Sequence, residues 1–192
     1  MAAKRYPALI YRTAPHRQRM IATGGPHKGA LIGCTDTSLA MAIMDTTQDG
    51  LVIDEETVRA LSGEGRTDES PGLNMAQLDK VCGKLHVVFT DATGQTWSQL
   101  VAHSNENRRI VAQLWYADIG GSAIGHAVLV EAFRDKGALI IDPMKGQREW
   151  ISPAKLRKGM ETFGAKTGLA AGRLRFGYLR RCTMVAAGAS TH

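Results

Sequence analysis

Cysteine is scarce in this 192-residue chain: there are three, Cys34, Cys82 and Cys182, odd in number and without a C-x-x-C pair. That excludes a disulfide framework and a cysteine-rich zinc site, and it points to a reducing compartment. Long apolar runs are missing as well. No stretch approaches the ~20 residues a membrane helix needs. The opening MAAKRYPALIYRTAPHRQRM is basic but has no apolar h-region, so neither a secretory signal nor an anchor is expected. There is no internal repeat and no RNP-like, zinc-finger or P-loop pattern, so no nucleic-acid or nucleotide module is indicated by motif.

What is present is ordinary globular composition, 44% hydrophobic and 22% charged, enough for one well-cored domain with terminal arms. Acidic residues are unevenly placed. Residues 1–28 carry six Lys/Arg and no acid, residues 155–192 carry eight against the single Glu161, and the segment between them carries ten basic against seventeen acidic residues. A basic N-terminal arm and a basic C-terminal segment around an acidic body suit contact with a partner subunit, nucleic acid or another acidic surface. Without a base-reading motif the partner protein is favoured over nucleic acid, and ordinary solvated charge is the simplest account of all.

Local patterns order the elements. TGGPHKGALIG is a loop punctuated by Gly and Pro, and CTDTSLAMAIMD continues it with helix formers and apolar residues at Leu39, Ala42, Ile43 and Met44, so a helix should begin near Cys34. VIDEETVRALSG and GLNMAQLDKVCGK read as two short helices stopped by Gly63 and Gly83, separated by the polar stretch Glu64 to Pro71. LHVVFTD is a strand, TWSQLVAHSNEN a short helix with Trp97, Leu100 and Val101 inward, and RRIVAQLWYADI another strand. Towards the end, EWISPAKLRKGMETF starts a helix at Ser152 with Pro153 in its first turn, and GRLRFGYLRRCTMV reads as a last strand before a frayed tail.

The segment AIGHAVLVEAFRDKGALIIDPMKG carries the chemistry. Ala127 to Phe133 and Ala138 to Ile141 are apolar runs around the turn Arg-Asp-Lys-Gly, which makes an antiparallel hairpin. In a hairpin the start of one strand lies beside the end of the other, so His126 and Asp142 should be neighbours. A carboxylate can fix the tautomer of an imidazole and stabilise its protonated form. The plainer alternative is that His126 opens a strand and Asp142 opens an Asp-Pro turn. Cys34, in the first turn of its helix, meets the positive end of the helix dipole, which favours the thiolate, and its backbone N–H is placed to donate to an oxyanion. The alternative for Cys34 is a small core residue, a fate that suits Cys82 on a helix and Cys182 in a strand.

Cys-Thr-Asp-Thr-Ser-Leu-Ala-Met-Ala (34–42), Gly-Leu-Asn-Met-Ala-Gln-Leu (72–78), Trp-Ser-Gln-Leu (97–100), Gly-His-Ala-Val-Leu-Val (125–130), Ile-Asp-Pro (141–143) and Trp-Ile-Ser (150–152) follow one another in this order. The series resembles papain-like cysteine peptidases of the bacteriocin-processing, double-glycine type over roughly residues 30–160. A narrower likeness is to peptidase-like virion proteins of bacteriophages that infect actinobacteria. The resemblance implies an α+β, papain-like fold in which an N-terminal helical half, with the cysteine at a helix start, packs on a C-terminal antiparallel sheet carrying His and Asp. It divides the chain into a basic arm (1–28), a papain-like domain (29–163) and a basic C-terminal strand and tail (164–192). It also implies a thiol hydrolase with Cys34 as nucleophile, His126 as general base and acid, and Asp142 orienting the imidazole. No cofactor or metal is expected. The substrate would be a peptide or protein, the compartment the host-cell cytoplasm or a virion, and the partners other virion proteins; a membrane is not expected. A catalytically inactive structural relative docking through its basic termini is the alternative, and other acyl transfers share the same triad.

Two residues depart from the family pattern. The family carries a Gln several residues ahead of the cysteine to donate to the oxyanion, whereas His27 to Gly33 contains none and Gln18 is the nearest upstream, leaving His27, Gln18 or the Cys34 backbone amide for that role. Asp36 replaces a neutral residue and would oppose a thiolate at Cys34.

Overall fold

The structure, a computed structural model, describes residues 33–47, 53–63, 72–104, 108–135 and 137–180. Gln18, His27 and Cys182, together with the whole basic arm and the end of the tail, lie outside the described residues.

Among the described residues, five helices and six strands follow in the order α1 (Cys34–Thr46), α2 (Glu55–Ser62), α3 (Met75–Lys84), β1 (Phe89–Asp91), α4 (Trp97–His103), β2 (Arg108–Trp115), β3 (Gly125–Arg134), β4 (Gly137–Asp142), β5 (Gln147–Ile151), α5 (Pro153–Lys166) and β6 (Arg175–Arg180), with a 3-10 turn at Tyr116–Ile119. The strands form one antiparallel sheet in the order β1-β6-β2-β3-β4-β5. This is an α+β fold, an N-terminal helical region packed on a C-terminal antiparallel sheet. Strand alternation sends Val111, Leu129, Ile141 and Leu179 to one face, against α1 and its partners α2 and α3. It sends Ile110, Leu114, Val128, Ile140 and Phe176 to the other, against Leu100 of α4 and Leu156 and Met160 of α5.

The centre of the first core is α1, which is small or apolar nearly all round and accordingly buried nearly all round. Leu39, Met41 and Ile43 are fully enclosed, and each such side chain contributes roughly 1.5–3 kcal/mol. Three of its buried polar residues, Asp36, Asp45 and Thr46, are answered locally or by long arginines. Thr46 returns its hydroxyl to the Ala42 carbonyl at 2.7 Å, Asp45 pairs with the buried Arg109 of β2, and Asp36 accepts from Arg59 of α2. Capping ends α2 where the sequence suggests, whereas α3 runs through Gly83, the expected stop, to Lys84 and is capped at Leu85. Asp54 accepts from the Thr57 amide, Gly63 closes α2 in the left-handed region at φ 83°, and Asn74 and Gln77 form a reciprocal capping box on α3.

Several elements differ from the sequence reading. The strand expected over LHVVFTD shrinks to Phe89–Asp91, because His86 takes φ 55° and Val88 is 65% exposed, so pairing with β6 begins only at Phe89. Val101 faces outward at 38% exposure, and Leu100 alone of its neighbours is fully enclosed. The run RRIVAQLWYADI leaves the extended state after Trp115 and turns through Tyr116–Ile119, where the Tyr116 amide donates to the Ile124 carbonyl at 2.9 Å. The edge strand β5, half-exposed and without alternation, was not foreseen; it exists because β4 offers it a full register from Ala138↔Ile151 to Asp142↔Gln147.

Candidate active site

The site forms where the N-terminus of α1 meets the ends of β2, β3 and β4. Gly33 initiates α1 from the left-handed region, φ 89° and ψ 15°, a conformation an L side chain resists. That kink makes Cys34 the first helical residue, and the Cys34 amide has no acceptor within the helix. Gly33 also offers no side-chain cap to the first N–H groups of α1.

His126 enters β3 directly opposite Leu114 of β2. Leu129 pairs with Ile141, so the entry of β3 runs beside the exit of β4, where Asp142 stands. His126 Nε2 donates to Asp142 Oδ1 at 2.8 Å, with both side chains buried. Bonding at Nε2 leaves Nδ1 for Cys34, which lines the same cleft as His126 and whose sulfur lies 4.0 Å from Thr35 Oγ1. Asp142 also performs the turn role expected of an Asp-Pro pair, its Oδ1 accepting the Met144 amide at 2.9 Å. The second oxygen, Oδ2, accepts the Tyr116 hydroxyl at 2.7 Å, and the Tyr116 ring lies 4.4 Å from the imidazole at 47°.

Charges in this chain reinforce one another. Burial alone would disfavour the Cys34 thiolate, but the bond and charge of His126, the Ala127 N–H and the Thr35 hydroxyl outweigh it and bring the thiol below its usual 9.0. Burial would also depress His126, yet its bonds to Asp142 and Cys34 raise it to about 9. Asp142 is held below the usual carboxylate range against the effect of burial, by His126, Tyr116 and the Met144 amide. The arrangement stabilises the thiolate of Cys34 and the imidazolium of His126 together.

Asp36 does not stand against that pair as the sequence suggested. Its Oδ2 accepts Arg59 Nε at 2.7 Å and Nη2 at 2.6 Å, so a guanidinium 23 residues along the chain neutralises it inside the core.

A cleft of about 250 Å³ opens over the sulfur and the imidazole, lined also by Thr35 of α1, Gly72 before α3, Gln113 of β2, Gly125 of β3 and Phe163 of α5. Gln113 Nε2 donates to the Leu73 carbonyl at 3.1 Å, tying the segment that leads into α3 across the cleft. The Phe163 ring fills the space a Cβ on Gly125 would need, 2.7 Å from its Cε2. Among the described residues no group of three or more His, Cys, Asp and Glu is placed to hold a metal ion, and no helix is long and apolar enough to cross a membrane.

No family model and no curated protein matches this chain. Solved structures do. A protein assigned as a C39-like peptidase from Bacillus anthracis superposes with a TM-score of 0.62 at 15% identity, covering 89% of this chain and 96% of that one. The peptidase domain of Streptococcus ComA, a bi-functional ABC transporter involved in a quorum-sensing pathway, gives 0.55 at 13% identity over 89% and 98% of the two chains. A double-glycine-motif protease from an AMS/PCAT transporter, in complex with its leader peptide, gives 0.53 at 18% identity over 89% and 94%. The chain has the fold of the C39-like, papain-like cysteine peptidases. Identities this low carry the fold and nothing finer, so roles within the C39-like fold rest on the residues themselves.

Of the residues singled out from sequence, Cys34 and His126 line one cleft and Asp142 is bonded to His126 behind it, while Gln18 and His27 lie outside the described residues. Tyr116, Gln113 and Phe163 were missed. Only Tyr116 left a trace in the sequence, as an aromatic with a polar end at the close of an apolar run, a residue that needs a partner when buried.

Proposed function

We propose that this protein is a cysteine peptidase in which Cys34 is the nucleophile, His126 the general base and acid, and Asp142 the residue that orients the imidazole. The observation that carries this reading is that Cys34, at the start of α1, and His126 line one cleft, with His126 Nε2 held on Asp142 Oδ1 at 2.8 Å. In the first half-reaction the thiolate attacks the scissile carbonyl carbon, and the carbonyl oxygen becomes an oxyanion beside the Cys34 amide. Collapse breaks the C–N bond while His126 Nδ1–H gives its proton to the departing amine, leaving a thioester. In the second, His126 takes a proton from water as its oxygen attacks the thioester. The acid product leaves, and the proton returns the site to its thiolate–imidazolium state. A second oxyanion donor from His27 or Gln18 belongs to the same proposal, and loss of such a donor costs about 10²–10³ in rate.

The substrate proposed is a peptide with a small-residue cleavage site, of the leader-peptide kind seen with the AMS/PCAT protease. Incubation of the purified protein with double-glycine leader peptides, read by mass spectrometry, should give cleavage that Cys34→Ala abolishes while far-UV circular dichroism and Tm stay unchanged. Cleavage that survives in Cys34→Ala, or a parent that neither cleaves nor is labelled at Cys34 by a peptide chloromethyl ketone, would overturn the assignment. The charge of residues 1–28 and 155–192 favours a second reading, a silent relative docking through its basic ends into a bacteriophage particle. Under that reading Cys34→Ala changes no processing, and deletion of residues 1–28 impairs assembly.

A further inference from the structure

We infer that Tyr116 is a positioning residue of this site, fixing the Asp142 carboxylate so that Oδ1 alone serves His126. The inference rests on the peptidase reading for its consequence in turnover, though not for its geometry. The two oxygens of Asp142 are used differently. Oδ1 accepts from His126 Nε2 at 2.8 Å and from the Met144 amide at 2.9 Å, whereas Oδ2 accepts from the Tyr116 hydroxyl at 2.7 Å. A carboxylate turns readily about its last torsion, which is broad and two-fold, so a donor on the second oxygen holds the first in place. The same tyrosine packs its ring on the imidazole it helps to aim, 4.4 Å between centroids, and is itself 4% exposed.

Tyr116 is in turn seated by the backbone around it. Its amide donates to the Ile124 carbonyl and its carbonyl accepts the Gly121 amide at 3.0 Å. Gly121 lies so close beneath the ring that a Cβ there would come within 2.0 Å of the Tyr116 Cδ1. Glycine at 121 is therefore a condition of the ring's position. The other charged groups at the carboxylate are Lys145, whose Nζ lies 3.7 Å from Oδ2 and 2.7 Å from Glu149 Oε1, and the His126–Cys34 pair on the inner side.

Two roles for the hydroxyl predict opposite signs. If it only draws charge from Asp142, removing it strengthens the carboxylate's hold on the imidazolium and His126 gains proton affinity. If it positions Asp142, removing it lets the carboxylate turn, the bond to Nε2 weakens, and His126 loses proton affinity. Tyr116→Phe deletes one oxygen and keeps the ring, so the full-length variant should fold.

The test is NMR titration of the His126 ring together with the pH dependence of Cys34 alkylation by iodoacetamide. In Tyr116→Phe the proton affinity of His126 should fall about tenfold, the strength of one charge-assisted hydrogen bond, and the alkylation midpoint of Cys34 should move up. Where a peptide is cleaved, kcat should fall about tenfold or more with KM little changed, because the imidazole is misplaced and the cleft is not. Gly121→Ala, which leaves the hydroxyl but displaces the ring, should move His126 in the same direction. An unchanged or raised His126 proton affinity in Tyr116→Phe overturns the inference, as does a Gly121→Ala protein with parental titration. Failure of the parent to cleave any peptide would instead strike the peptidase reading and leave both titrations informative.

Discussion

Replacing Asp142 with Asn removes a charge from the site with almost no change of shape. Asp142 is fully buried, and its oxygens accept from His126, Met144 and Tyr116. An amide keeps Oδ1 as acceptor for the first two and presents NH₂ where Oδ2 was, and the Tyr116 hydroxyl can turn to accept instead of donate. What disappears is the negative charge behind the imidazolium. His126 stands at about 9 against an ordinary 6.5, with burial pushing it down and its bonds to Asp142 and Cys34 pushing it up. A hydrogen bond to a charged partner contributes about 1.5–3 kcal/mol, and one pKa unit corresponds to about 1.4 kcal/mol, so His126 should drop by about one to two units. NMR titration of the ring reads this directly, and the alkylation midpoint of Cys34 should rise because its imidazolium partner is less often charged. Stability at low pH offers a second reading. Asp142 is depressed below 3.8 in the folded state, so its contribution is complete above about that pH and is lost as pH falls through the folded value. Acid unfolding of Asp142→Asn should lack that component. A His126 that still titrates near 9 in the variant would refute the reasoning, since the carboxylate could then not be what holds the proton.

Cys34 should react with iodoacetamide near neutral pH well before Cys82, whose thiol is enclosed in the core and pushed up to about 12 by burial and Asp79; mass mapping that found Cys82 labelled first would contradict the site electrostatics. Arg59→Met should lower the unfolding free energy by about 3–5 kcal/mol, the usual cost of breaking a buried ion pair, and also slow Cys34 alkylation; Asp36→Asn in the same chain should restore much of both. Gly33→Ala places an L side chain at φ 89°, costing about 1–2 kcal/mol, and should reduce Cys34 labelling more than it reduces Tm, because the kink sets where α1 begins.

The sequence by itself determined the local parts of this protein. A loop ending in Gly33 followed by helix formers put Cys34 at a helix start, and two apolar runs around Arg-Asp-Lys-Gly put His126 beside Asp142, because hairpin pairing depends only on residues close along the chain. Short and exposed segments were poorly legible. β5 has no alternation to read, and β1 is fixed by its pairing with β6 some ninety residues later, Phe89↔Leu179. Tertiary structure alone decided how the local parts act on one another. It brought the start of α1 to the end of the sheet so that Cys34 meets His126, laid Arg59 on an Asp36 whose charge looked adverse in sequence, and turned the chain after Trp115 so that Tyr116 reaches Asp142. Those contacts join residues tens of positions apart. Charge and hydrogen bonding act through space, and no local pattern encodes which distant donor a buried carboxylate will find.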